Sequence, residues 1–216
     1  MPFIVFEGLD GSGKSTLMSA FEERLKQSGV SVLRTREPGG TRLGDEIRNM
    51  ILRKDGPVPF PRAELLLYEA SRAQHVDELI RPALNEGRWV LCDRFSASSV
   101  AFQAGGRSIA VEWVEKLNEF ATDNLEADLT VLLDLSVSES KRRRSLRRTQ
   151  SGSSEDRIES EADAFHERVR QSFLEQARHN SRKWLVLDAS LRPDELLEKL
   201  VTHLSGLSWR GSSIKS

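Results

Sequence analysis

A single cysteine, Cys92, stands in 216 residues. No intramolecular disulfide can form, and a lone thiol suits a reducing compartment. No apolar run approaches the roughly 20 residues that a membrane-crossing helix needs. Charge of one sign is also missing: 32 Lys and Arg oppose 33 Asp and Glu, a net charge of −1. No global basic field therefore points to nucleic acid or to an anionic membrane as partner. Histidine is sparse. His75, His166, His179 and His203 are scattered, none sits at zinc spacing from the cysteine, and no catalytic histidine constellation can be assembled from them. Internal repeats are absent, and Pro2-Phe3-Ile4-Val5 enters an apolar run without the charged stretch of a secretory leader. The expectation is one α/β domain over residues 1–216, cytoplasmic, with neither a nucleic-acid nor a membrane partner.

Against these absences stands Phe6-Glu7-Gly8-Leu9-Asp10-Gly11-Ser12-Gly13-Lys14-Ser15-Thr16. Gly8, Gly13, Lys14 and Ser15 satisfy G-x-x-x-x-G-K-[ST], between a strand-like run (Phe3–Phe6) and a helical pattern. Small residues such as Gly11 and Ser12 let the backbone curl so that N–H groups point at an anion, and the helix start at Lys14-Ser15-Thr16 adds its positive dipole end. Lys14 then reaches the β/γ-phosphates of a nucleoside triphosphate, and the Ser15 hydroxyl is a ligand for Mg²⁺.

Five mostly apolar runs read as strands buried on both faces: Phe3–Phe6, Val30–Thr35, Trp89–Cys92, Leu129–Leu135 and Trp184–Leu187. Helical stretches separate them, which predicts a three-layer α/β/α fold around a five-stranded parallel sheet. Ligands gather beyond the carboxyl ends of such strands. Asp93-Arg94 lies at one of those ends. It has two readings: a carboxylate behind a metal ion with an arginine forked onto phosphate, or a salt-bridged pair closing a strand. A helical pattern from Arg62 to Leu84 is apolar on more than one side, as a buried or dimer-forming helix would be, with Tyr68 and Arg72 on one face. Residues 141–148 hold six basic residues in eight, Arg143 and Arg147 sharing a face. A Ser/Gly stretch and the acidic Glu155–Glu161 follow. This arrangement predicts a hinged lid at about 141–157. A polar tail, Gly211–Ser216, is expected to fray.

As an ordered set, Gly8–Ser15, Thr35-Arg36-Glu37-Pro38-Gly39-Gly40-Thr41, Asp93-Arg94-Phe95 with Ser98-Ser99 and Gln103, and Asp156-Arg157-Ile158-Glu159 resemble the thymidylate kinases. These are nucleoside monophosphate kinases of the P-loop class, and the likeness runs from Phe3 to about Ser190. The resemblance implies phosphoryl transfer from ATP to dTMP with Mg²⁺, and a homodimer formed through the long central helix. By position, Tyr68 matches the aromatic that stacks on thymine and Arg72 the arginine that bonds it. Ser99 matches the polar residue at the base N3 edge, with Gln103 nearby, and Arg48 and Arg94 match the dTMP phosphate clamp. Asp10 matches an acid near the sugar, with Glu37 in the same region, and Asp93 matches the metal-side carboxylate. Two positions depart from the pattern. Some members carry an arginine where this chain has Gly11, so the transition-state arginine is expected from the basic run, where Arg143 and Arg147 are candidates. Phe102 replaces a common tyrosine beside the sugar. Rival readings are another nucleotide or nucleoside kinase, a GTPase (without its Asn-Lys-x-Asp tetrad) and a nucleic-acid module built on residues 141–148.

Overall fold

The apolar runs become strands because helices cover the sheet on both sides. In the computed structural model, which describes residues 1–152 and 155–206, β1 (Phe3–Glu7), β3 (Trp89–Asp93) and β4 (Leu129–Asp134) are buried almost throughout. With β2 (Val32–Arg36) and β5 (Trp184–Asp188) they form one sheet, ordered β2-β3-β1-β4-β5, in which all neighbours run parallel. β1 lies between strands reached in opposite directions from it, so its carboxyl end opens into the crevice of a topological switch point. The expectation that all five strands are buried on both faces fails at the edges. Arg34 and Arg36 of β2 and Val186 and Asp188 of β5 are exposed, because an edge strand has only one neighbour.

One core lies between the sheet and α1 (Lys14–Gln27) with α9 (Pro193–Ser205), through Leu17, Met18, Phe21, Leu196, Leu200 and Leu204. The opposite face carries a second core around Phe3, Val5, Val90 and Phe95, and a third in which Phe102 meets Phe165 and Phe173 of α8 (Asp163–His179). These are the three layers anticipated from the strand–helix alternation.

The strand predicted from Val30 begins at Val32, since the Val30 N–H closes the preceding turn on Leu25 O at 3.0 Å. The helix predicted from Arg62 to Leu84 is a helical run in three registers: α3 (Pro61–His75), a π-helical turn (Val76–Ile80) and α4 (Arg81–Asn85). Pro82, with no N–H to donate, sits just past this shift in the hydrogen-bond ladder. A second π turn, Val100–Gly106, follows α5 (Ser96–Ser99) and carries Phe102 and Gln103. The remaining helices are α2 (Arg42–Leu52), α6 (Val111–Thr122) and α7 (Val137–Ser151). Part of the predicted Ser/Gly hinge (153–154) and the predicted frayed tail (Gly211–Ser216) lie outside the described residues. No helix among the described residues is long and apolar enough to cross a membrane.

Candidate active site

The loop after β1 is built from left-handed turns. Gly8 has φ 131°, and a Cβ there would stand 2.5 Å from Leu133 O. Gly13, φ 97°, caps α1. Lys14 is 6 % exposed, and its Nζ donates to Gly8 O (3.1 Å) and Leu9 O (3.3 Å). It lies 3.9 Å from Asp93 Oδ1 and 4.0 Å from Asp10 Oδ1. Burial, then the nearby Arg94, lowers its pKa from the ordinary lysine value. Ser15 Oγ donates to Asp93 Oδ2 at 3.4 Å, while Asp93 Oδ1 and Ser12 Oγ are buried without a hydrogen-bond partner. A hydroxyl beside a carboxylate with an unused oxygen fits Mg²⁺, which takes few protein ligands and completes its shell with water and phosphate. The described residues contain no group of three or more His, Cys, Asp or Glu suited to a closed metal cage.

Arg94 joins this loop to an adjacent pocket. Its backbone is left-handed (φ 73°), a costly conformation for a side chain of its size. The Arg94 N–H donates to Phe6 O (3.0 Å) and the Cys92 thiol to Arg94 O (3.0 Å), which hold the strained turn at the end of β3. The guanidinium donates to Asp10 Oδ1 (2.9 Å) and Ser98 Oγ (3.3 Å), lies 3.6 Å from Glu7 Oε2, and is 5.1 Å from the centre of the Phe102 ring. Burial alone would raise the Asp10 pKa, but Arg94 and Lys14 hold it well below the usual carboxylate range. Glu7 behaves oppositely. It is wholly buried, and burial pushes its pKa up to about 7 against the pull of Arg94 and the donors Ser98 and Phe95 N–H.

The pocket is walled by Asp10, Glu37, Arg48, Tyr68, Arg94, Ser99, Phe102 and Gln103, with Asp156 and Ile158 from the segment between α7 and α8. Arg48 is held by Nη1 on Pro38 O at 3.0 Å. Burial raises the Tyr68 pKa, so its ring is a neutral face. Eight positions picked from the sequence, Phe102 among them, therefore meet at one cavity, and Lys14, 4.0 Å from Asp10, lies beside it. Arg72 does not line it. Its Nε donates to Glu37 Oε2 (2.8 Å), its Nη1 reaches Glu69 Oε1, Ser99 Oγ and Asn118 Oδ1 (2.7, 2.8 and 2.7 Å), and its Nη2 donates to Phe95 O (3.1 Å). Glu37 also faces His75 Nδ1 at 3.0 Å. Arg72 stands behind the wall and holds two of its members, Glu37 and Ser99, in position.

The arginines of the basic run on α7 also differ from expectation. Arg143 donates to Glu139 Oε1 (2.8 Å) and Ala189 O (3.0 Å), and Arg147 to Glu159 Oε1 (2.6 Å), so neither is directed at the phosphate loop. Arg144 packs against that loop, its Cγ 3.5 Å from where a Gly11 Cβ would stand. It is 4 % exposed, donates from Nη1 to Glu159 O (2.5 Å) with Glu155 Oε1 at 3.9 Å, leaves Nε unpartnered, and contributes to lowering the Asp10 pKa. Ser140, one turn earlier, donates to Asp10 O at 2.7 Å. α7 thus rests directly on Gly11, where a Cβ would meet Ser140 O at 3.2 Å and Arg143 Cβ at 3.3 Å. Sequence reasoning also passed over Glu7. The available signal was a carboxylate closing an otherwise apolar strand run.

A phosphate loop at a parallel-sheet switch point, joined by an arginine to a pocket with a second basic clamp, defines a kinase of the P-loop class. The chain belongs to the thymidylate kinase family: the model of that family matches residues 6–200. It is 66 % identical over 205 residues to a thymidylate kinase from Bdellovibrio bacteriovorus, covering 95 % of this chain and 96 % of the relative. Thymidylate kinases from Pelobacter propionicus (46 % over 205 residues, 94 % and 93 % covered) and Trichlorobacter lovleyi (45 % over 195 residues, 90 % and 92 % covered) are similar along nearly their whole length.

Proposed function

We propose that this chain transfers the γ-phosphoryl group of ATP to dTMP, giving ADP and dTDP, as a single cytoplasmic domain whose lid spans about residues 141–157. The observation that carries the reading is Arg94. It is paired with Asp10 of the phosphate loop and lines the pocket that also holds Arg48 and Tyr68. The acceptor is a phosphate oxygen already ionised near neutral pH, so no general base is needed, and no histidine lines the pocket. What the reaction requires is in-line positioning and neutralisation of the equatorial oxygens.

Lys14 exchanges its carbonyl partners in the loop for the β/γ-oxygens of ATP. Arg94 and Arg48 clamp the dTMP phosphate, the Tyr68 ring stacks on the base, and Gln103 and Ser99 meet the base edge. Phe102 excludes a ribose hydroxyl sterically, with Asp10 and Glu37 near the sugar. Arg72 supports the base pocket from behind. Arg144 brings positive charge to the transferring group. Ser15, with Asp93 behind it, would hold the Mg²⁺ that accompanies the nucleotide, and that ion would supply neutralisation of phosphate charge. Exposed Leu66 on α3 and Trp113 and Phe120 on α6 support a homodimer through these helices. The test is ADP release, measured by enzymatic coupling, with dTMP, dUMP, ribothymidine monophosphate and thymidine as acceptors. The expected order has dTMP first and thymidine inactive. Turnover of thymidine equal to that of dTMP, or none with dTMP, would overturn the proposal.

A further inference from the structure

Glu64 is a charged side chain in the first turn of α3 that is 1 % exposed and belongs to neither the phosphate loop nor the pocket wall. Four donors converge on its carboxylate. Oε1 accepts from Gln103 Nε2 (3.0 Å) and Arg107 Nε (3.1 Å), and Oε2 accepts from Arg107 Nη2 (3.2 Å) and Arg157 Nη2 (2.6 Å). Burial alone would raise its pKa, but the donors Arg107, Gln103 and Arg157 outweigh that and lower it, so the group is an anion at neutral pH. An anionic carboxylate only accepts hydrogen bonds. Gln103 must therefore present its NH₂ to Glu64, which turns its carbonyl oxygen the other way. Among the described residues no donor reaches Gln103 Oε1, and Gln103 lines the pocket beside Tyr68 and Ser99. The Ser99 hydroxyl proton goes to Glu69 Oε1 at 2.7 Å, so it cannot supply a donor to the base either.

We infer that Glu64 is the positioning residue for base selection: by fixing the Gln103 amide it gives the pocket a hydrogen-bond acceptor for a pyrimidine N3–H. This rests on the reading of the pocket as a dTMP site. Thymine and uracil carry a proton at N3. Cytosine carries a lone pair there, which would face the Gln103 oxygen and leave two acceptors opposed. If the amide could turn over, NH₂ would meet the cytosine lone pair and the penalty would vanish. Arg157 adds rigidity to this arrangement, because it also donates from Nε to Ile51 O (2.8 Å) and from its backbone to Leu52 O (3.0 Å). Arg107 pairs in addition with Glu161 at 2.7 Å. The segment returning from the lid is thereby tied to the carboxylate that orients the base reader.

The experiment measures kcat/KM for dTMP and for dCMP in the wild type, Glu64→Gln, Gln103→Leu and the double variant. The ratio of the two constants does not depend on the fraction of enzyme that is folded, so a loss of stability alone leaves it unmoved. Glu64→Gln offers Gln103 an amide in place of an anion, frees it to turn, and should lower the ratio about tenfold or more, with KM for ATP within about twofold. In the Gln103→Leu background the same substitution should move the ratio less than about twofold, because the group it positions is gone. Should Glu64→Gln fail to fold, Glu64→Asp keeps the charge for both arginines but withdraws it from Gln103, and is read by the same ratio and the same limits. A ratio unchanged within about twofold, or an equal change with and without Gln103, would overturn the inference. Absence of dTMP turnover in the wild type would instead remove the dTMP reading itself, so the two failures are distinguishable.

Discussion

Replacing Arg144 with methionine keeps most of the buried volume and removes the charge. Arg144 is on the face of α7 that packs against the phosphate loop, 4 % exposed, with Nε unpartnered. At an effective dielectric of about 20, a unit charge about 4–5 Å from charge gathering on the transferring phosphoryl is worth about 3–4 kcal/mol. At about 1.4 kcal/mol per decade this is a fall of roughly 100- to 1000-fold in kcat. The competing losses are the charge-assisted hydrogen bond to Glu159 O and the ion pair with Glu155 at 3.9 Å, together about 2–3 kcal/mol of stability, which leaves a domain of this size folded. KM for dTMP should stay within about threefold, the pattern of an interaction made mainly in the transition state. Arg142, exposed and paired with Glu139 on its own helix, is the control, and Arg142→Met should stay within about threefold of wild type in kcat. The assay is steady-state coupled ADP release, with thermal melting as the check on folding. If folded Arg144→Met retains kcat within about fivefold, the lid helix does not supply the charge through this residue.

Lys14→Ala should abolish turnover with the melting temperature little changed. Near-native activity in a folded variant would remove the phosphate-loop mechanism. Tyr68→Ala should weaken dTMP binding by roughly 1–3 kcal/mol in calorimetric titration, by analogy with base stacking on aromatics, and leave ATP affinity within about twofold. Equal weakening of both would make Tyr68 a structural residue only. Glu7 has a folded-state pKa raised to about 7 from 4.5, so its contribution to stability is complete below pH 4.5 and is lost as pH rises through 7. The stability difference between wild type and Glu7→Gln should therefore fall by roughly 3 kcal/mol over that window in urea melts, whereas a flat difference would show that Glu7 is not held neutral.

The phosphate loop and the strand–helix alternation were legible because both are local: one is a contiguous motif, the other a run of neighbours with one polarity. The pocket was legible only through resemblance, since Arg48, Tyr68, Arg94 and Gln103 come from α2, α3, the turn after β3 and a π turn, and topology alone brings them together. Phase within α7 was not legible. A run as polar as residues 141–148 has no apolar stripe to say which side faces inward, so Arg143 and Arg147 were indistinguishable in kind from Arg144. Depth was hidden too. The i, i+4 spacing of Tyr68 and Arg72 correctly put them on one helix, but spacing carries no information on Glu37 and Asn118, which claim the guanidinium from other parts of the chain. Nothing in the sequence singles out Glu64, because the arginines that hold its carboxylate lie 43 and 93 residues away.

The seat of α7 on Gly11 couples two segments that lie some 130 residues apart in the chain. Position 11 has φ 81°, which side chains rarely adopt, and a Cβ there would press on Ser140 O at 3.2 Å and Arg143 Cβ at 3.3 Å. Any residue larger than glycine must therefore displace loop or helix by a few tenths of an ångström. Loop and helix behave as one mechanical unit, so an alteration at 11 is expected to be felt at Arg144.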